Sequence, residues 1–365
     1  MLDENYMKQA LKLARRGLGK TSPNPMVGAI IVKDDRIIGE GYHHYFGGNH
    51  AEVNAFQSAR ESVSGATLYV TLEPCSYYGK TPPCVDAIIR HKIGRVVIGS
   101  LDPNPQVNGR GVAILQQHGI DTTVGVLEEA CRDLNEAHFK SMATGMPLVT
   151  LKFAQTLDGR IATINGKSQW LSSEKFRRLA HKLRATSDAV IVGIDTVLAD
   201  DPQLTVRLVR GRNPARVVLD SRLRIPLEAK VLTGREVAPT LLATTSRADE
   251  KKLSRLREMG IEVLVVSEDE AGRISLRHLL KALGERNISS VLVEGGAGVI
   301  TSLLRQGLAD KVVIAITPKI MGKGIEAVGE LNIREVSRVL KLSFDKIYRM
   351  GDDLVIEARV NPRSD

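Results

Sequence analysis

His50-Ala51-Glu52 and, further along, Glu73-Pro74-Cys75-Ser76-Tyr77-Tyr78-Gly79-Lys80-Thr81-Pro82-Pro83-Cys84 form one reading. Between them they offer an imidazole, two thiolates and a carboxylate. His50, Cys75 and Cys84 suit zinc, and a site with three protein ligands keeps its fourth position for water, as catalytic zinc sites do. Such a metal would make hydroxide near neutral pH, with Glu52 to move the protons. The ordinary alternatives are that cysteines are buried as small apolar side chains and that a single histidine is structural. Against them, the chain holds three cysteines, and two of these flank a Pro-rich turn directly after an apolar run.

The surroundings of the two stretches give the first domain its order. Thr21 to Pro25 is turn-rich, Val27 to Lys33 reads as a buried strand, and Asp34-Asp35 turns it into a hairpin partner over Arg36 to Tyr42. Ala51 to Arg60 carries Val53, Phe56 and Ala59 at helical spacing. Positions two apart on a regular helix differ by roughly 200° around the axis, so His50 and Glu52 share a site only if the helix begins there. Ala66 to Leu72 is a strand that delivers Cys75, and Cys84 to His91 opens the next helix. Arg95 to Ser100 is a further strand, Val112 to His118 a helix, and Val126 to Phe139 one more helical run, holding Cys131 as a core or surface residue. This alternation predicts a three-layer α/β domain closing near Thr144-Gly145-Met146-Pro147. A zinc-binding His, a non-ligand Glu and a later Pro-Cys with a second Cys is the nucleobase-deaminase pattern, although that pattern closes Pro-Cys-x-x-Cys and here residues 76–83 intervene.

The second half, 146–365, reads as another α/β domain. Pro147 to Ala154 is a strand with one lysine, Lys152, among apolar neighbours, which composition alone would equally put at an edge or surface. Strands recur at Ser187 to Gly193, Ala215 to Asp220, Pro239 to Thr244 and Ile261 to Val266, with Asp195-Thr196 and Ala199-Asp200-Asp201-Pro202 as a loop. Ser290 to Val293 then runs through Glu294-Gly295-Gly296-Ala297-Gly298 into a helix from Val299. A strand feeding a Gly-rich helix start holds phosphate on free backbone N–H groups, though the full dinucleotide fingerprint is missing. Asp310 to Ile316 and Asp353 to Val360 close a sheet expected to be mostly parallel with antiparallel pieces at its end.

Composition sets the limits. A chain of 365 residues fits two domains, and 43% hydrophobic with 25% charged residues is globular rather than disordered. No stretch approaches the roughly 20 apolar residues of a membrane span, and the N-terminus reads as an amphipathic helix, so no membrane and a cytoplasmic place are expected. A net charge of +9 favours anions, either nucleic acid or a phosphorylated metabolite and cofactor. The basic residues form no long run, which argues for no nucleic-acid partner.

With these motifs in order, Thr21-Ser22-Pro23-Asn24-Pro25, His50-Ala51-Glu52, Pro74-Cys75, Gly79 to Cys84 and Val293-Glu294-Gly295-Gly296, the chain resembles the bifunctional riboflavin-biosynthesis deaminase/reductase family over nearly its whole length. The longer loop before Cys84 is the form that family uses. The resemblance implies a cytidine-deaminase-like domain over 1–145 that hydrolyses the 2-amino group of a ribosylamino diamino-pyrimidinone 5′-phosphate. It implies a dihydrofolate-reductase-like domain over 146–365 that reduces the ribosyl group with NADPH.

It also assigns residues. Zn2+ falls to His50, Cys75 and Cys84, catalysis to Glu52, and NADPH to Ala154, Trp170, Thr196, Asp200, Ser221 and the turn and helix start Gly296, Ala297, Gly298, Val299, Ile300, Thr301 and Ser302. Substrate falls to Asn24, Ser168, Arg184, Leu204, Arg207 and Glu294; apart from the resemblance, Lys152 or Asp200 is a candidate for the reductase proton. Two arginines suit a ribose phosphate, which a guanidinium binds as a fork. Trp170, the only tryptophan, packs either on the cofactor or in the core. The family's phosphorylated pyrimidine is the expected partner, and a homo-oligomer is compatible. Two rivals make other demands. A tRNA or free-nucleobase deaminase has no use for the second domain, and a zinc-stabilised nucleic-acid-binding protein needs a fourth ligand and no Glu52.

Overall fold

The computed structural model describes residues 2–79, 82–234 and 236–362. Lys80 and Thr81, in the loop between the two cysteines, lie outside the described residues. The chain divides into two compact units, Met1–Met146 and Pro147–Asp365.

Among the described residues the first unit runs α1 (Leu2–Ala14), β1 (Gly28–Lys33), β2 (Arg36–Tyr42), α2 (Ala51–Ser58), β3 (Thr67–Leu72), α3 (Cys84–Arg90), β4 (Arg95–Ser100), α4 (Arg110–Gln117), β5 (Asp121–Val124), α5 (Glu128–Leu134) and α6 (Glu136–Thr144). The strands lie in the order β2-β1-β3-β4-β5, with β1 antiparallel to β2 and β3, and β3, β4 and β5 parallel. β1 is apolar and buried up to Lys33 because both faces of the sheet are covered. Ala29 and Ile31 join a core with Ala51, Ala55, Val85, Ile88 and Leu115 from α2, α3 and α4. Ile30 and Val32 join another with Tyr6, Met7, Ala10 and Leu11 from α1 and Cys131 from α5. The period of two along a strand divides its side chains between these faces, and each fully buried aliphatic side chain contributes about 1.5–3 kcal/mol.

The helical run expected over Val126 to Phe139 is two helices. Asn135 separates them at φ −116°, ψ 26°. Its side chain accepts the Met26 N–H at 2.7 Å and donates to the Met26 carbonyl at 2.9 Å, a pairing that helical continuity did not prevail against.

The second unit runs β6 (Leu148–Thr156), β7 (Arg160–Thr163), α7 (Glu174–Thr186), β8 (Ala189–Gly193), α8 (Ile194–Asp200), β9 (Ala215–Leu219), β10 (Thr240–Thr244), α9 (Glu250–Glu258), β11 (Glu262–Val265), α10 (Leu276–Gly284), β12 (Ser290–Val293), α11 (Ala297–Arg305), β13 (Lys311–Thr317), β14 (Gly324–Glu326), β15 (Leu342–Met350) and β16 (Asp353–Val360). Among the described residues nine strands form one sheet in the order β11-β10-β9-β8-β12-β6-β13-β16-β15, and β14 pairs with β7. From β11 to β13 the pairing is parallel, and β16 and β15 add antiparallel. β6 is therefore central, and Lys152 on it is no edge lysine. The expected loop after β8 is the helix α8, in which Ile194 and Val197 are buried. The acidic residues there had masked two apolar positions three apart. No helix among the described residues is long and apolar enough to cross a membrane.

Candidate active sites

α2 begins at Ala51, and His50 is its N-cap in extended backbone at φ −69°, ψ 163°. The imidazole is thus carried by the entering loop and Glu52 by the first turn, which frees the two from helical spacing. Cys75 follows the end of β3, and Cys84 is the first residue of α3. The three ligand atoms lie within 4.8 Å of one another. His50 Nδ1 is 3.2 Å from Cys84 Sγ and 3.5 Å from Cys75 Sγ. Ligands at ordinary Zn–N and Zn–S lengths in a tetrahedron sit about 3.6 Å apart, so one zinc ion fits between them. His50, Cys75 and Cys84 are the group able to hold a metal among the described residues. With no fourth ligand among them, the closed-site rival loses its requirement.

The electrostatics are those of a buried, coupled cluster. A hydrogen bond with Cys84 pulls the Cys75 thiol down to about 5, against its burial and with help from His50. The same hydrogen bond, with burial, pushes Cys84 up. The Cys84 N–H also donates to Cys75 Sγ at 3.3 Å. Glu52 is 3% exposed. Burial raises its carboxyl pKa, with His50 opposing the rise. A carboxyl whose charged form is disfavoured by burial is suited to taking up and releasing a proton.

Asn24, the expected substrate contact, donates from Nδ2 to His43 Nε2 at 3.1 Å, and His43 Nδ1 hydrogen-bonds the Asn49 carbonyl at 2.9 Å. The His43 ring is buried and stands edge-on to His50 at 5.6 Å between centroids. Burial lowers its pKa, consistent with the neutral ring these bonds require. Sequence reasoning gave His43 no role. The signal was present, a histidine at the end of β2 just upstream of His50, but nothing in one dimension showed it facing the metal ligand.

The second unit holds a cavity of about 880 Å³ along the carboxyl ends of β8, β9 and β12. Thr196, Asp200, Ser221, Gly296, Ala297, Gly298, Val299 and Ser302 line it, and so does Ser168, expected at the substrate. The Ser168 hydroxyl donates to Asp200 at 3.3 Å. Cavity size and the N-terminus of α11 suit a phosphate-bearing dinucleotide such as NADPH. Ala154 and Trp170 stand outside the lining. Ile300 faces the core, and the Thr301 hydroxyl donates to the Ala297 carbonyl at 2.7 Å while accepting the Gly329 N–H. Trp170 is 69% exposed, which removes the core reading, and the Arg177 guanidinium lies 4.4 Å over its ring.

Of the remaining expected residues, Arg184, Glu294 and Lys152 form a separate cluster whose side chains are 7–15% exposed. Arg184 Nε and Nη2 grip the Glu294 carboxylate, Nη2 at 3.0 Å, and Nη1 donates to the Thr205 carbonyl at 3.0 Å. Arg184 spends this fork on protein groups. Lys152 Nζ is 3.7 Å from Glu294 Oε2 and 5.0 Å over the Phe176 ring. Burial would raise the Glu294 carboxyl, but Arg184 and Lys152 together hold it at about 2. Burial pulls the Lys152 ammonium down, with Glu294 opposing. Leu204 is buried beside Thr205, and Arg207 is exposed with its guanidinium on the Thr205 hydroxyl at 2.7 Å.

Residues 1–100 match the family model of the cytidine and deoxycytidylate deaminase zinc-binding region, and residues 147–356 that of the RibD C-terminal domain. The chain is 48% identical over 356 residues to the riboflavin biosynthesis protein RibD of Aquifex aeolicus, covering 97% of this chain and 98% of that one. To RibD of Escherichia coli it is 40% identical over 370 residues, covering 98% and 99%. Among solved structures it superposes on Acinetobacter baumannii RibD with a TM-score of 0.90 at 38% identity, and on a diaminohydroxyphosphoribosylaminopyrimidine deaminase/5-amino-6-(5-phosphoribosylamino)uracil reductase from Thermotoga maritima with 0.86 at 41%. Both alignments cover 99% of each chain.

Proposed function

This chain belongs to the RibD family of bifunctional riboflavin-biosynthesis enzymes, a zinc-binding deaminase joined to an NADPH-using reductase, and on that premise we propose how its residues divide the work. The unit before Pro147 deaminates the diamino-pyrimidinone ribosylamine 5′-phosphate, and the unit from Pro147 onward reduces the ribosyl group of the product to ribityl. The observation that carries the reading is the convergence of His50, Cys75 and Cys84 within 4.8 Å beside buried Glu52, in a unit whose sheet is covered on both faces.

When bound, zinc supplies a water ionised near neutral pH at the open fourth position. Glu52 would take one proton from the attacking water and pass it to the ring nitrogen as the C–O bond forms, then carry the remaining hydroxyl proton to the amine, so that the C–N bond breaks, a carbonyl is left and ammonia departs. Asn24, fixed by His43, orients the pyrimidine. In the second unit Thr196, Asp200, Ser221 and the start of α11 hold the cofactor, which supplies the hydride. Lys152, steered by Glu294, delivers the proton to the ribosyl oxygen as the sugar opens. Thiolate ligands and NADPH use both belong to a reducing compartment, so the protein works in the cytoplasm; fractionation that recovered it elsewhere would contradict this.

The test follows ammonia release and NADPH oxidation separately in the full chain. Glu52→Gln is expected to cut ammonia release by ~100-fold or more, while NADPH oxidation proceeds at the wild-type rate once the deaminated intermediate is supplied. Loss of both would sink the assignment of one reaction to each unit.

A further inference from the structure

We propose that Glu73 is a positioning residue for the zinc ligand Cys75. It is 4% exposed and sits in the loop between the end of β3 and the thiol. Its carboxylate meets no cation among the described residues. It accepts four backbone N–H groups instead. Oε2 takes those of Gly109 at 2.9 Å and Asp102 at 3.3 Å; Oε1 takes those of Gly111 at 2.9 Å and Val112 at 3.3 Å. The Glu73 N–H itself donates to the Ser100 carbonyl at 2.9 Å.

These partners come from different elements. Ser100 ends β4, Asp102 follows it, and Gly111 and Val112 open α4. The side chain therefore ties the ligand loop to the segment that follows β4 and to the helix behind it, while the Glu73 backbone N–H ties it to the strand itself. Helix N-terminal N–H groups favour a carboxylate, and buried charge is tolerated when each oxygen is so satisfied. A cap for α4 would need only the bonds to its first turn. The additional bond to Asp102 and the strand bond to Ser100 fix the direction in which Pro74 and Cys75 leave the sheet. Packing locks the same point, because a Cβ on Gly111 would run into the Pro74 carbonyl oxygen. On the far side the Cys75 carbonyl accepts the Val85 N–H at 3.3 Å. Cys75 is thus held from both directions, and the direction set by Glu73 aims Sγ at His50 and Cys84. Groups that orient metal ligands typically cost 10- to 100-fold in metal affinity when removed.

The inference rests on the zinc reading of the three ligands, and the test separates the two. The full-length protein is stripped of metal and titrated with zinc against a chromophoric chelator. Glu73→Gln turns one acceptor oxygen into a donor and should raise the zinc dissociation constant about 10- to 100-fold. Gly109→Ala strains a backbone held at φ +84° without meeting any atom within 4 Å, and should shift it in the same direction by less. Leu11→Ala, in the core on the α1 side of the sheet, loosens the fold elsewhere and should leave zinc affinity unchanged at a matched loss of Tm. Wild-type affinity in Glu73→Gln, or an equal loss in Leu11→Ala, overturns the positioning role. A wild-type chain that takes up no zinc overturns the metal reading itself. Should Glu73→Gln fail to fold, Gly109→Ala decides the question by the same criterion.

Discussion

Lys152 and Glu294 have opposite claims on the reductase unit, and substitution separates them. Glu294 faces two largely enclosed cations, and its removal as Glu294→Gln leaves Arg184 and Lys152 without their counter-charge. Breaking a buried pair from one side costs about 3–5 kcal/mol. Lys152→Met removes a cation whose partner keeps Arg184, so unfolding free energy should change little while NADPH oxidation falls ~100-fold. Urea unfolding and turnover measured on both variants check this; a Lys152→Met enzyme that turns over normally excludes the proton-donor role. The contrast also marks what a sequence can show about a site. His50 and Glu52 are neighbours in the chain and Cys75 and Cys84 frame one turn, so chemistry and spacing could be read together. Arg184 and Glu294 lie 110 positions apart, and nothing in one dimension showed that Arg184 would spend its fork on Glu294 and Thr205.

At the level of elements, α7 carries a group that should set the acid limit of the second unit. His181 Nδ1 accepts the N–H groups of Arg207 at 2.9 Å and Leu208 at 3.4 Å, which only a neutral imidazole can do at that atom. Burial, then Arg184 and Arg207, with Lys152 adding and Glu294 opposing, lower its pKa to about 4. The folded value lies below the ordinary 6.5, so between the two the unfolded chain binds more protons. This contribution to stability should be complete above 6.5 and be lost as pH falls through that window, by at most about 3 kcal/mol in all. His181→Asn keeps an acceptor near Nδ1 without the titration and should flatten the stability profile between pH 6.5 and 4; an unchanged acid limb would assign the loss to other groups. Elements with one strong period were legible: β2, β4 and β16 run over the residues their apolar patterns mark. The break at Asn135 and the helix α8 were not, because a distant backbone pairing decides the first and an acidic exterior hides the apolar positions of the second.

For the whole molecule, each unit encloses its own apolar core and its own set of reactive side chains, and only the first contains a cluster of metal ligands among the described residues. The two activities should therefore respond differently to metal removal. Stripping zinc with a chelator is expected to reduce ammonia release at least ~100-fold, because the nucleophile is no longer made near neutral pH. NADPH oxidation with the deaminated intermediate should stay within ~2-fold, since the second reaction takes its hydride from the cofactor and, on the proposed assignment, its proton from Lys152, neither of which needs the metal. Restoring zinc should return ammonia release and leave the second rate where it was. If NADPH oxidation fell in parallel with ammonia release although the intermediate was supplied, the second reaction would depend on the state of the first unit, and the division at Met146 would separate two folding units without separating two catalysts.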